Sequence, residues 1–247
     1  MGDYFDMSGK VVLVTGGSRG LGYEMSKAFA AQGADVIVAS RKLEGCEQVA
    51  AEIRALGRRA LPIACHVGKW DELDGLVERA YAEFGRIDVL VNNAGMSPVA
   101  NSSLETSEEL FDKVVGVNLK GPFRLSALVG SRMVAAGGGS IINVTSTGAI
   151  RPLPHMGPYS AAKAGLNVLT KAHALEFGPK VRVNAIMAGP FWTDVSKAWR
   201  EELDRTSDSA VRRIGRPHEI VTTALYLASE QSSYTTGAVI ELSGGIR

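Results

Sequence analysis

Short runs of aliphatic and β-branched residues alternate along this chain with longer stretches whose apolar positions recur every three or four residues. The runs predict strands over 10–16, 35–40, 59–65, 88–95, 140–146, 181–187 and 238–242. The longer stretches predict helices over 20–32, 42–57, 70–84, 107–119, 122–136, 158–177 and 217–229, with a polar, helix-prone segment over 194–210. Strands that alternate with helices need right-handed crossovers, so they should lie parallel. Their apolar runs are continuous, as in a sheet covered by helices on both faces. The expectation is one α/β domain over 1–247, built on a seven-stranded parallel sheet. In such a sheet the ligand lies beyond the carboxyl ends of the strands. Each motif that carries chemistry falls at or just after a predicted strand end.

Composition narrows the setting. The chain has 247 residues, 45% of them hydrophobic, and a formal net charge of +1. That is enough apolar material for a sizeable core, and the charge gives no reason to expect nucleic acid or an anionic membrane as partner. Cys46 and Cys65 form no CxxC pair and no metal-ligand cluster, which points to a reducing cytoplasm. The opening MGDYFDMSGK lacks the apolar stretch of a signal peptide, and Asp6 stands where a myristoylation signal needs Ser or Thr.

Two constellations stand out. Thr15-Gly16-Gly17-Ser18-Arg19-Gly20-Leu21-Gly22 joins the first strand to the first helix. Glycines there permit a tight turn and close approach of backbone to a pyrophosphate, while the helix N-terminus offers N–H groups and a positive dipole end. The second constellation is Ser146 at the end of INVTS, followed by Tyr159 and Lys163 in YSAAK. Tyr159 and Lys163 are four apart and share one helix face. An ammonium beside a phenol favours the phenolate, so the phenol is expected to titrate below its usual range. Ser146 supplies a hydroxyl for a polarised oxygen. A proton donor, its tuner and a hydrogen-bond clamp suit interconversion of a carbonyl and an alcohol.

TGxxxGxG at 15–22, NNAG at 92–95, Asn118, Ser146 and YxxxK at 159–163 together resemble the short-chain dehydrogenase/reductase family, in that family's order and from about residue 8 onward. Members similar to 3-oxoacyl-(acyl carrier protein) reductases share the short, single-domain length. The resemblance implies a doubly wound Rossmann fold with Tyr159 as general acid/base. It implies that Lys163 holds the nicotinamide ribose, and that Asn118 binds a water in a proton relay behind Lys163. Gly16, Ser18, Arg19, Gly20 and Leu21 would cradle the dinucleotide. Asn93, Ala94 and Gly95 would flank the adenosine, and Gly189, Phe191 and Thr193 the nicotinamide. Where the family commonly has Asp-Val after the third strand this chain has His66-Val67; a neutral imidazole nitrogen could still accept from the adenine amino group, and the competing reading is a His66 simply exposed at a loop. At the end of the second strand stands Ser40, followed by Arg41 and Lys42, with Arg19 in the glycine turn. A carboxylate at that place would select NAD, whereas an Arg fork matches a 2′-phosphate, so NADP(H) is expected over NAD(H). The competing reading makes Arg41 and Lys42 the start of a solvated helix. The resemblance also implies a homotetramer.

The substrate is less legible. Arg151 to Met156 should line its mouth, His155 included, with Met187, Trp192 and Trp199 as apolar wall and about 188–213 as a lid. Arg212, Arg213 and Arg216 form a basic run that suits an acyl carrier or coenzyme A, or simply a solvated helix start. A 3-oxoacyl thioester, a sugar, a steroid or a small alcohol all remain open as substrate. The rival from another class is a dinucleotide-binding sensor or scaffold without catalysis.

Overall fold

The computed structural model describes residues 4–193 and 209–246. Seven strands form one sheet: β1 (Val11–Thr15), β2 (Asp35–Ser40), β3 (Ala60–Ala64), β4 (Val89–Asn92), β5 (Gly139–Ser146), β6 (Val181–Ala188) and β7 (Val239–Leu242). Their order is β3-β2-β1-β4-β5-β6-β7, and every neighbouring pair is parallel. The helices are α1 (Gly20–Ala31), α2 (Leu43–Ala55), α3 (Trp70–Phe84), α4 (Glu108–Val115), α5 (Gly121–Ala136), α6 (Gly157–Phe177) and α7 (Val221–Ala228). Most of the helix-prone stretch predicted over 194–210 lies outside the described residues. No helix among the described residues is long and apolar enough to cross a membrane.

Both faces of the sheet are buried, which is why its strands read as unbroken apolar runs. Val12 and Val14 of β1 pack in one core layer with Met25 and Phe29 of α1. Leu13, pointing the other way, packs in a second layer with Leu76 of α3 and Leu125 and Val129 of α5. The strand order reverses between β1 and β4, and a crevice opens beyond their carboxyl ends.

The two helices expected over 107–119 and 122–136 are joined without a break. A π-turn over Gly116–Lys120 links α4 to α5, with Gly121 N donating to Gly116 O. Such turns insert one extra residue and recur at functional sites. This one carries Asn118. Ser107 starts the run, its Oγ accepting from Leu110 N at 3.1 Å.

Candidate active site

A cleft of about 570 Å³ opens at the carboxyl ends of the strands. Every catalytic or cofactor-binding residue assigned from sequence lines it, except Ser18 and Asn118. Among the described residues no Asp or Glu does, while Arg19, Arg41, Arg151 and Lys163 all do.

One end of the cleft is built from backbone. Arg19 precedes α1 without giving it a side-chain cap, and the first turn holds no acidic residue. The orphan amides and the positive dipole end are therefore left for an anion. Gly16 has φ +65, and a Cβ on Gly22 would stand 2.2 Å from Gly16 O. Asn93 ties this turn to β4. Its Nδ2 donates to Thr15 O at 2.9 Å, and its backbone N donates to Thr15 Oγ1 at 3.0 Å. Ala94 N donates to the same hydroxyl at 3.1 Å. Ser18 packs toward the start of α2, its Cβ 3.3 Å from where a Cβ on Gly45 would lie.

Beyond the turn, Ser40 ends β2 and Arg41 is exposed at the rim. His66 also lines the cleft, but its acceptor is already used. Gly68 N donates to His66 Nδ1 at 3.1 Å, so a neutral ring carries its proton on Nε2. The ring then offers a donor, not the acceptor expected for an adenine amino group.

The other end is built from side chains. Ser146 closes β5 in register with Ala188, and its Oγ accepts from Gly148 N at 3.1 Å. Pro158 in the first turn of α6 presets the helix, and the helix then puts Lys163 Nζ 5.9 Å from the centre of the Tyr159 ring. Lys163 is 4% exposed, and its Nζ donates to Val144 O at 2.8 Å. Burial holds its ammonium down to about 8. Burial also pushes the Tyr159 phenol above its ordinary value, with hydrogen bonding to Ser146 pulling the other way. The sequence led us to expect a lowered phenol. Desolvation of the buried phenol outweighs the hydrogen bond with Ser146 here.

Asn118 sits behind this group, fully buried. Its Nδ2 donates to Met96 O at 2.8 Å and Val114 O at 2.9 Å, while Oδ1 accepts from Met96 N at 3.3 Å. Both amide protons are thus committed to backbone, which clamps the segment after β4 to the π-turn. A Cβ on Gly95 would lie 3.1 Å from Asn118 Oδ1 and 3.6 Å from Lys163 Nζ, so both side chains approach the same glycine.

Past β6 the chain turns back over the cleft. Gly189 N donates to Leu242 O at 2.9 Å, and Phe191 bridges to Gly215. The Phe191 ring is buried in the core, so that residue offers the cleft its backbone. Thr193 Cγ2 lies 3.4 Å from where a Cβ on Gly20 would be, so the two ends of the cleft meet there. Ser243 Oγ accepts from Gly245 N at 3.3 Å and Ile246 N at 3.4 Å and pins the C-terminal turn.

At the mouth, Arg151, Leu153 and Met156 line the cleft, and His155 does not. Neither Met187, which is buried, nor Trp192, which is exposed, joins the wall. Trp199 and most of the proposed lid lie outside the described residues. Arg213 spends its guanidinium on Glu219, at 2.7 and 2.5 Å, so the basic run is partly neutralised. Sequence reasoning missed Ser97, Thr145, Ser160 and Ile246 as lining residues. Ser160 and Thr145 each adjoin an assigned residue, which was the available signal. Ile246 arrives only through the tertiary return of the C-terminus.

The chain matches a family model described as short chain dehydrogenase over residues 10–204. It is 36% identical over 244 residues to dehydrogenase/reductase SDR family member 4 of Bos taurus, covering 97% of this chain and 88% of that protein. It is 37% identical over 243 residues to a 3-oxoacyl-[acyl-carrier-protein] reductase of Thermotoga maritima, covering 97% and 98%. Among solved structures, a 7α-hydroxysteroid dehydrogenase complexed with NADH and 7-oxo glycochenodeoxycholic acid superposes with TM-score 0.92, 30% identity and coverage of 100% and 98%. A putative NAD(P)-dependent gluconate 5-dehydrogenase from Beutenbergia cavernae with bound NADP also gives TM-score 0.92, at 31% identity and 98% coverage of each chain.

Proposed function

The chain belongs to the short-chain dehydrogenase/reductase family of oxidoreductases, and from that premise we propose an NADP(H)-dependent reduction of a carbonyl, or oxidation of the matching secondary alcohol. The observation that carries this reading is the convergence of Ser146, Tyr159 and Lys163 on a cleft that also contains the glycine turn and, among the described residues, no carboxylate. A nicotinamide dinucleotide, when bound, supplies or accepts the hydride. The residues present suit such a ligand: an uncapped helix start, glycines packed against backbone, and a cationic wall. Arg19 and Arg41, with Ser40 in place of an acid, support a 2′-phosphate. The solved relatives hold NADH in one case and NADP in the other, so the family leaves this choice to these residues.

In the reductive direction Tyr159 donates its phenolic proton to the substrate oxygen. Ser146 hydrogen-bonds the same oxygen and stabilises charge gathering on it. Lys163 holds the ribose hydroxyls, and Asn118 keeps the strand β4 exit in place beside Lys163. A raised phenol stays protonated near neutrality, which favours reduction. Alcohol oxidation needs that proton gone, so its rate is expected to climb with pH while reduction does not; matched pH profiles check this. The homotetramer is supported by exposed Phe111, Phe123 and Leu175 on α4, α5 and α6. The loss of Arg213 to Glu219 weakens an acyl-carrier docking role for the basic run.

The deciding experiment follows NADPH oxidation with ketones, diketones, acyl thioesters and sugars, in wild type and Tyr159→Phe. The variant is expected to lose about 10²–10⁴-fold in kcat while still binding NADPH. Near-normal turnover would overturn the role of Tyr159. Dinucleotide binding with no carbonyl reduced would favour the sensor reading.

A further inference from the structure

Among the described residues four cationic side chains line the cleft. The reading above gives Arg19 and Arg41 to the dinucleotide phosphate and Lys163 to its ribose, which leaves Arg151. Its place is set at both ends. Its backbone N donates to Thr147 O at 2.9 Å, in the turn that follows Ser146. Its Nη1 donates to Glu241 Oε1 at 3.1 Å. Glu241 lies on β7 in register with Met187 of β6, which is in register with Thr145 of β5. The arginine therefore reaches from the end of β5 across β6 to β7, two strand spacings or roughly 10 Å. On the way it passes the end of β6, where Ala188 and Gly189 line the cleft. Glu241 itself does not line it. Ser243 Oγ donates to the same Oε1 at 2.6 Å and accepts from Ile246 N, so the C-terminal turn braces the pair from outside the wall. The contact with Glu241 engages Nη1, and Nε and Nη2 lie outside it. Leu153 and Met156 add an apolar stretch to the same mouth.

We propose that Arg151 binds a carboxylate of the substrate, so that the preferred substrates are aliphatic keto acids whose acid group stands several methylenes from the reacting ketone. This rests on the carbonyl-reduction reading above. The ketone oxygen sits at Ser146 and Tyr159, the methylenes run along Leu153 and Met156, and the carboxylate meets the guanidinium. A guanidinium gives a carboxylate charge-assisted hydrogen bonds, and one held in advance loses less entropy on meeting it. Among the described residues no acid in the wall opposes the anion. The reach from the end of β5 to Glu241 sets the length, and it leaves out keto acids whose two groups are close together.

The test uses the full chain with NADPH and two keto acids, 7-oxooctanoate and levulinate, each beside its methyl ester. At low salt the long acid is expected to exceed its ester by about five- to tenfold in kcat/KM. The Arg151–Glu241 pair is partly open to solvent, so added salt should shrink that advantage. Levulinate should show no advantage over its ester, because its carboxylate falls short of Arg151. Arg151→Met keeps the length of the side chain and removes its charge, and should bring the ratio for the long pair to about one. Arg151→Lys should keep part of the ratio, as a point charge without the fork. A merely structural role would lower acid and ester together and leave the ratio intact. Binding to the enzyme–NADPH complex gives a readout independent of turnover. Octanoate should bind about five- to tenfold tighter than octanamide in wild type, and equally in Arg151→Met. No advantage for the long acid, an equal advantage for levulinate, or an unchanged ratio in Arg151→Met overturns the proposal. If no ketone is reduced although octanoate binds through Arg151, the reductase reading fails and the carboxylate site stands.

Discussion

The two ends of the cleft are made differently. The nucleotide end is backbone: amides at the start of α1, glycines pressed on carbonyls, and cations left exposed at the rim. The catalytic end is side chain, with Lys163 and Asn118 almost wholly buried and each hydrogen-bonded to main chain. Backbone amides cost nothing to leave facing water until a ligand arrives. A buried ammonium must be supported by the fold at all times. The first end is thus cheap and adaptable, while the second trades stability for reactivity, as strained functional sites often do.

Lys163 offers the strongest way to break that contrast. Its folded pKa is about 8 against an ordinary 10.5. Between those values the unfolded chain keeps a proton that the folded chain has released, so stability rises with pH across the window. Below it both states are charged and the burial cost is felt in full. Lys163→Met should lose at least about 10²-fold in kcat, through the tuner and ribose contact. It should also gain about 2 kcal/mol of cofactor-free stability at neutral pH, after allowing for the hydrogen bond lost at Val144 O. Denaturant melts at several pH values check this. The wild-type rise between pH 8 and 10.5 should flatten in the variant. A variant less stable than wild type at pH 7 would show that the ammonium is not a burden.

Gly22→Ala probes the backbone end. The added methyl would start 2.2 Å from Gly16 O and 2.5 Å from Asn93 Nδ2, so the turn must move. The expected cost is about 1–3 kcal/mol of stability from overpacking. NADPH affinity should fall by about tenfold or more, since the amides lose their aim. Tryptophan or NADPH fluorescence titration reads this. If kcat at saturating cofactor also drops as far as in Lys163→Met, the two ends are not separable.

What the sequence revealed follows the same division. The sheet, its order of elements and the glycine turn were legible because buried strands and tight turns leave local signatures: an apolar run for β1, and Gly16 to Gly22 after it. Ser146, Tyr159 and Lys163 were legible as residue types at a spacing. Their electrostatics were not, since the raised phenol and lowered ammonium come from burial by elements distant in sequence. The π-turn at Asn118 also escaped, because one extra residue in a helix leaves the apolar period nearly unchanged. His66 read as an acceptor until its Nδ1 was found bonded to Gly68 N.

Arg41→Ala should have the smallest effect and the most selective one. The side chain is exposed at the rim beyond Ser40, on the wall that Arg19 shares. Solvent screening keeps an exposed charge pair weak, but a dianionic phosphate facing a guanidinium fork forms charge-assisted bonds that a ribose hydroxyl cannot. The expected result is an NADPH affinity lowered by about tenfold, with NADH unchanged within a factor of about two. The NADPH loss should shrink as salt is raised, because screening removes the same interaction in wild type. Parallel titrations with both dinucleotides at low and high salt measure it. Equal losses for NADPH and NADH would mean that Arg41 serves the adenosine or the fold of α2, and that the phosphate preference lies elsewhere. A loss confined to NADPH would show that the nucleotide end can be retuned without touching the buried machinery of Tyr159 and Lys163.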